Sequence, residues 1–408
     1  MSFSEWKTYK LGDIAEIVGG GTPSTTKEEY WGNEYPWLTP RDLSNHTYRY
    51  VSKGERNISE LGLKNSSAKL IPEGAVLLTS RAPIGYLAIA QNDITTNQGF
   101  KSFIVNEKKA NNEFLFYLLK HNVNALKQIG TGTTFAEVSA NTLRAFELAF
   151  PDLKTQQRIA SILSGLDDAI ELNQVINKTL EEMAKAIFKE WFVDYNFPNA
   201  TGKFQETEIG KIPVGWKVGK LGDIVEVKGG TTPSTTKKEY WDGEYYWTSP
   251  RDLSNLQTNI LLDTSRKITE AGVKQISSGI LPKGTLLLSS RAPIGYMVIS
   301  EIPISINQGF IAINGTKVSN LFMLYWLKEN MQTVINNANG STFLEISKTV
   351  FRNIDIAIPS KEVLDKFEEI ISGIYNQILN NEKENQSLIN LRDVLLPMLM
   401  KGEINVNL

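Results

Sequence analysis

The chain has 408 residues, 41% hydrophobic and 22% charged, a mix suited to a globular protein of two or more domains. It holds no cysteine and only two histidines, His46 and His121, which excludes disulfides, thiolate metal sites and histidine-rich metal centres. A net charge of −2 argues against a uniformly basic nucleic-acid binder, because phosphate neutralisation is the main source of sequence-independent affinity, but lysine and arginine can still gather on one face.

No apolar run is long enough to span a membrane. The opening residues, MSFSEWKTYKLGD, show no charged stretch followed by an apolar one, so a cytoplasmic location is expected. No cluster of carboxylates has a spacing that suits a magnesium ion, and no metal site is expected.

In chain order the first feature is a mixed domain over 1–150. Short β-like runs such as AVLLTS follow turn signals such as IPEG (71–74), and a helical pattern covers FLFYLLKHNVNAL (114–126). A long helix is expected over 151–196, then a polar linker over 197–214. A second mixed domain over 215–358 repeats the first, with LPKG (281–284) before TLLLSS and a helix over MLYWLKENMQTVI (323–335). A second long helix is expected over 359–408.

The repeat is extensive. Residues 6–45 and 216–255 agree at 28 of 40 positions, at an offset of 210. RAPIGY (81–86 and 291–296) and NQGF (97–100 and 307–310) keep that offset, and GTTF (132–135) matches GSTF (340–343) at 208. A period this long is a duplication of whole domains, far beyond the ~20–50 residues of a solenoid unit.

Both long helices carry a 3-4 apolar alternation, the mark of a coiled coil. In the first it runs Ile159, Ile162, Leu166, Ala169, Asn173, Ile176, Leu180, Met183, Ile187. In the second it runs Val363, Phe367, Ile370, Ile374, Gln377, Asn381, Glu384, Leu388, Leu391, Leu395. Leu396-Pro397 is expected to stop or kink the second helix, because proline has no amide donor. A duplicated chain can fold about a pseudo-two-fold axis that runs equivalent helices antiparallel. Asn173 and Asn381 are then expected near each other at the helix crossing, a polar pair that fixes register. Two separate amphipathic helices, each covering its own domain, is the alternative.

Taken together, GGTPST…EYW…TPRDLS, RAPIGY, NQGF, the helix start PDLKTQQRI (151–159), and the helix ends EEMAKAIFKEWFVDY (181–195) and LRDVLLPMLMKGEI (391–404) resemble the specificity subunit of type I restriction–modification systems. The resemblance covers nearly the whole chain. It implies an α+β fold with two duplicated target-recognition domains in inverted orientation, separated by two long antiparallel coiled-coil helices. It also implies a DNA-reading, non-catalytic subunit that binds double-stranded DNA and two modification (methyltransferase) subunits, and that a restriction or motor subunit can join. The S-adenosylmethionine cofactor is expected on the modification subunit and none in this chain. The residues agree: no G-x-G-x-x-G opening a helix, no Asn/Asp-Pro-Pro-Tyr/Phe methyltransferase motif and no phosphate loop G-x-x-x-x-G-K-S/T is present. One departure is the second helix start, PSKEVLDKF (359–367), which lacks the glutamines of the first.

Candidate DNA contacts are the hydroxyls and lysines after the glycine turns: Thr22, Ser24, Thr25, Thr26 and Lys27, with Thr232, Ser234, Thr235, Thr236 and Lys237. A glycine turn with a Thr-Pro-Ser helix cap is the competing reading. Arg41 and Arg251 can reach guanine, or else pair with Asp42 and Asp252. Arg81 and Arg291 are further candidates, with a scaffold role as the stronger alternative. Since members of such a family read different targets, base readers are expected in the polar spans 44–69 and 254–278 or near 131–137 and 340–345, and the tryptophans Trp31, Trp37, Trp241 and Trp247 in the core. Phe188, Trp191, Phe192, Leu395, Met398 and Leu399 near the helix ends either dock partners or close onto the neighbouring domain.

Two such similar domains in inverted array imply a split, nearly palindromic target whose gap the helices set. The other classes kept open are a stand-alone duplicated DNA-binding protein and a non-catalytic scaffold.

Overall fold

The computed structural model describes residues 6–131, 136–254, 256–291, 293–340 and 344–406. The chain falls into two units, Met1–Leu172 with Asn385–Leu408, and Asn173–Glu384.

In the first unit the strands are β1 (Lys7–Lys10), β2 (Ala15–Gly19), β3 (Trp31–Leu38), β4 (Tyr50–Val51), β5 (Arg56–Ile58), β6 (Val76–Ser80), β7 (Ile84–Ala90), β8 (Thr95–Thr96), β9 (Phe100–Val105) and β10 (Glu147–Phe150). A five-stranded sheet has the order β2-β9-β6-β7-β4, a three-stranded sheet the order β5-β3-β8, and β1 pairs with β10. The run VLLTS of β6 is buried at every residue because strands flank it on both sides, so it reads as continuous rather than alternating. Helix α1 (Asn112–His121) covers the sheet, and the Asn111 side chain accepts from the amide of Phe114 at its start. Helix α2 (Leu153–Phe192) begins in this unit. Its PDLKTQQ start is a cap. Asp152 accepts from the amide and hydroxyl of Thr155, bonds that hold its carboxyl below the usual range, and the buried Gln156 bonds Pro151 and Asn111.

The second unit repeats the plan. A hairpin of β11 (Phe204–Thr207) and β12 (Gly210–Pro213) fills what sequence suggested was only a polar linker. Then come β13 (Lys217–Lys220), β14 (Val225–Gly229), β15 (Trp241–Thr248), β16 (Ile260–Leu261), β17 (Arg266–Ile268), β18 (Leu286–Ser290), β19 (Ile294–Ser300), β20 (Ile304–Ile306), β21 (Phe310–Gly315), helix α3 (Asn320–Glu329), β22 (Asp355–Ile358) and helix α4 (Lys361–Met400). The sheet orders β14-β21-β18-β19-β16, β17-β15-β20 and β13-β22 match those of the first unit strand for strand.

Within each unit α2 and α4 run antiparallel. In the first, Ile159, Ala160 and Leu163 share a core with Leu396, Leu399 and Met400, and Arg392 bonds Asp167 at 2.7 Å. In the second, Asn173 donates to Glu384 at 3.0 Å, and Phe188 and Trp191 pack edge-on and tilted against Phe367. Residue numbers rise on one helix as they fall on the other.

The inward stripe differs from the expected heptads. Ile162, Ile176 and Met183 are exposed, and the buried positions lie one residue further on, at Leu163, Asn177 and Ala184. On α4, Ile370 and Leu391 face water while Ile371 is buried. Polarity misled the register because polar residues occupy the seam with partners: Asp167 takes bonds from Arg392 and Tyr117, and Asn177 bonds Asn381 and Glu382. Asn381 donates to Asn177, one helical turn beyond Asn173, at 2.7 Å. Pro397 does not end α4 either. It sits in the last turn, only three residues before the helix ends at Met400, and the amide of Lys401 still bonds the carbonyl of Pro397.

Candidate nucleic-acid interface

In each unit residues of the GGTPST or GTTPST, EYW and NQGF segments shared by the two repeats meet at one exposed turn. The chain leaves β2 and crosses tightly over the end of β8. A Cβ on Gly20 would overlap the carbonyls of Thr96 and Asn97, so only glycine fits, and the amide of Gly21 bonds Thr96 at 2.9 Å. Pro23 is buried, whereas Thr22, Ser24, Thr25, Thr26 and Lys27 are all exposed. Two indoles hold the turn from beneath. Trp37 donates to the carbonyl of Gly21 at 2.9 Å and Trp31 to that of Ser24 at 3.2 Å. Ser24 and Thr26 share a hydrogen bond, Thr22 bonds Gln98 of the NQGF motif, and Lys27 donates to the Tyr30 hydroxyl at 3.0 Å.

The second unit reproduces this arrangement. Trp247 and Trp241 donate to Thr231 and Ser234, Thr232 bonds Gln308 at 2.5 Å, Ser234 meets Thr236, and Lys237 bonds Tyr240. Thr235 is exposed like Thr25. The turn is not a helix cap, since only the three-residue helical turns Glu28–Tyr30 and Lys238–Tyr240 follow, and neither has a side-chain cap. The tryptophans are scaffold, as expected: the rings of each pair meet edge to face at 5.0 and 5.1 Å.

Arg41 and Arg251 are exposed, and among the described residues neither is in an ion pair. The aspartates beside them are occupied otherwise. Asp42 accepts from Thr39 and from the amide of Glu55. Burial opposes ionisation of Asp252, yet hydrogen bonds from Ser265 and Ser249 outweigh it and hold its carboxyl below the usual range. These bonds stitch the PRDLS loop to the residues just before β5 and β17, while both arginine side chains stay exposed.

Arg81 and Arg291 are different. Each forms an ion pair inside its own domain, with Glu137 at 3.7 Å and Glu345 at 3.6 Å, and their backbones bridge to the same glutamates. These ion pairs favour the scaffold reading of both arginines over the DNA-contact one. The RAPIGY loop around them is a tight hairpin in which Thr79 bonds Pro83 and Tyr86. Gly132–Phe135 and Ser341–Phe343, in the spans named as possible homes of base readers, lie outside the described residues.

Of the two readings of the helix ends, docking and closure onto the neighbouring domain, the docking one needs correction. Phe188, Trp191 and Leu399 are 2%, 8% and 1% exposed, and Phe192 and Leu395 pack partly buried on the same cores. Phe188 meets Phe322, Phe192 and Phe367 within 5.8 Å. Met398 is half-buried. These large groups close the helices onto the mixed domains because aromatic area is worth most inside.

One feature escaped sequence reading. The guanidinium of Arg56 lies over the Trp31 ring at 3.4 Å, and that of Arg266 over Trp241 at the same distance. The charge also divides unevenly along the chain. Residues 1–150 hold 16 basic and 15 acidic side chains and residues 215–358 hold 15 and 12, whereas each helical segment, 151–196 and 359–408, holds 5 and 8. The acidic excess sits on the helices, so the overall −2 does not describe the mixed domains.

Residues 3–182 and 213–390 each match the model of the type I restriction modification DNA specificity domain. The chain belongs to this family of specificity subunits. It is 34% identical to the MjaIX specificity subunit of Methanocaldococcus jannaschii across 98% of this chain and 94% of that one. Against the HindI specificity subunit of Haemophilus influenzae it is 27% identical, over 98% of this chain and all of the relative. The type I S subunit from M. genitalium has the same fold, with a TM-score of 0.61 at 16% identity over 98% and 97% of the two chains. Specificity subunits recognise DNA and carry no catalytic centre, which favours neither the stand-alone regulator nor the scaffold. Among the described residues no cluster of acidic or histidine side chains suits a metal ion, and no helix is long and apolar enough to cross a membrane.

Proposed function

We propose that each mixed domain of this specificity subunit reads one half of a split, nearly palindromic double-stranded target, gripping phosphate through the exposed turns at Thr22–Lys27 and Thr232–Lys237. The observation that carries this reading is that both copies present the same hydroxyls and lysine on a turn immobilised by two indole hydrogen bonds. Ordered hydroxyls and a cation suit phosphate, and such contacts set position while other side chains read bases. Arg41 and Arg251, exposed and in no ion pair among the described residues, supply further positive charge.

Adenine methylation then belongs to two modification subunits, which bring S-adenosylmethionine, and a restriction or motor subunit can join them in the cytoplasm. Docking falls to apolar side chains that α2 and α4 leave in water, Ile162, Leu391 and Val394 in the first unit and Val175, Met183 and Ile370 in the second. The helices set the unread gap. One heptad added to each lengthens it by ~10.5 Å, about 3 base pairs of DNA.

The test is to co-express the chain with a modification subunit and map methylated adenines across the host genome. A bipartite inverted motif that disappears without this chain supports the reading, and its gap should widen in the heptad variant. An assembled complex that adds no methylation, or an unchanged gap, counts against it.

A further inference from the structure

The stacked arginines carry a more specific role, which rests on the DNA-reading function above. Residues 46–55 and 256–265 differ at all ten paired positions. Identity resumes at Arg56 and Arg266. Beyond them the paired charged residues of this span are Glu60 with Lys64 and Glu270 with Lys274, each an ion pair along its own helical turn at 2.8 and 3.0 Å. Arg56 and Arg266 therefore stand apart as the retained charges of this span whose side chains make no hydrogen bond or ion pair among the described residues, although both are exposed.

Their placement is built. Each guanidinium lies flat enough on its indole to sit 3.4 Å from the ring centre, and the same indole donates to the turn carbonyl of Ser24 or Ser234. Arg266 is also 5.7 Å from the Trp247 ring. One ring thus supports the turn on its edge and the arginine on its face. A stacked guanidinium keeps its N–H edge open while its rotamers are already restricted, so little ordering remains to be lost when it binds. A planar fork of donors matches the O6 and N7 acceptors of guanine in the major groove.

We infer that Arg56 and Arg266 each read a guanine edge, one in each half of the target, beside the phosphate held by the adjoining turn. Since the two sites are alike, the two halves share a G·C pair at equivalent positions.

The experiment uses the assembled complex with the modification subunit, in wild type and in Arg56→Gln, Arg266→Gln, Arg56→Lys and Arg266→Lys variants, with methylated adenines mapped and melting temperatures measured. Arg56→Gln should relax one G·C position in one half only, and Arg266→Gln the equivalent position in the other, with discrimination falling about 5- to 150-fold. An unchanged motif with lower methylation at every site, restored by lysine, would assign the arginines to phosphate and overturn the inference. An unchanged motif with only a lower melting temperature would make them structural and overturn it equally. A wild-type complex that yields no motif removes the DNA-reading function itself, and this inference with it.

Discussion

Replacing Asn177 with leucine probes whether the polar crossing of the second unit is held by satisfied hydrogen bonds. Asn177 is 2% exposed, donates to Glu382 at 2.7 Å and accepts from Asn381 at 2.7 Å. Leucine leaves both partners without those bonds. A buried group stripped of its partner costs about 1–3 kcal/mol, more when charged, and burying the leucine returns about 1.5–3 kcal/mol. The expected net loss is about 2 kcal/mol. Asn381→Leu alone should come out at ~0 kcal/mol by the same balance, because it strands only the Asn177 oxygen and its own buried leucine offsets that. Gln377, which donates to Asn381 at 2.9 Å, is exposed and can turn to water. In the double variant two leucines meet, and the loss should fall short of the sum by about 1–3 kcal/mol. Urea denaturation followed by far-ultraviolet circular dichroism supplies all four corners of the cycle, with constant m as the check on cooperativity. An Asn177→Leu variant as stable as wild type, or losses that add within about 0.5 kcal/mol, would refute the role given to these bonds.

Other outcomes are equally direct. Lys27→Gln and Lys237→Gln should each weaken binding of every duplex and lower the slope of log affinity against log salt by about 1, measured by fluorescence anisotropy of the complex; a change in the methylated motif instead would make these lysines base readers. Phe188→Ala should destabilise the second unit by about 3–5 kcal/mol through an aromatic cavity, and an unaltered melting curve with lost partner binding would return Phe188 to the docking surface. Burial raises the Glu382 carboxyl, and its bond from Asn177 only partly offsets this. The folded chain then holds that proton more tightly than the unfolded one, so this group favours the folded state most at low pH and the contribution is lost as pH rises through the folded value. Glu382→Gln should flatten that part of the stability profile above the ordinary glutamate range, and identical profiles for wild type and variant would show that Glu382 does not titrate in this way.

Much of the molecule was legible along the chain. The duplication, the α+β character of each repeat, the β runs after IPEG and LPKG, and the two long helices follow from local signals: matched motifs, turn residues and apolar spacing. Family membership was legible in the same motifs. The exposed turn was visible too, since glycines followed by hydroxyls and lysine mark a tight crossing with polar side chains outward.

The register of the helices was not legible. Apolar spacing assumes that polar residues face water, whereas Asp167, Asn173 and Asn177 are buried because residues some two hundred positions away complete their hydrogen bonds. Phe188, Trp191 and Leu399 looked equally suited to an interface or a core, and only packing against the mixed domains decided it. The arginines divided for the same reason. Arg81 and Arg291 found glutamates within their own domains, while Arg56 and Arg266 found indole faces and, among the described residues, no acceptor for their side chains. Composition and periodicity report what each residue prefers on average; which partner it obtains depends on contacts between distant segments, and those exist only once the chain has folded.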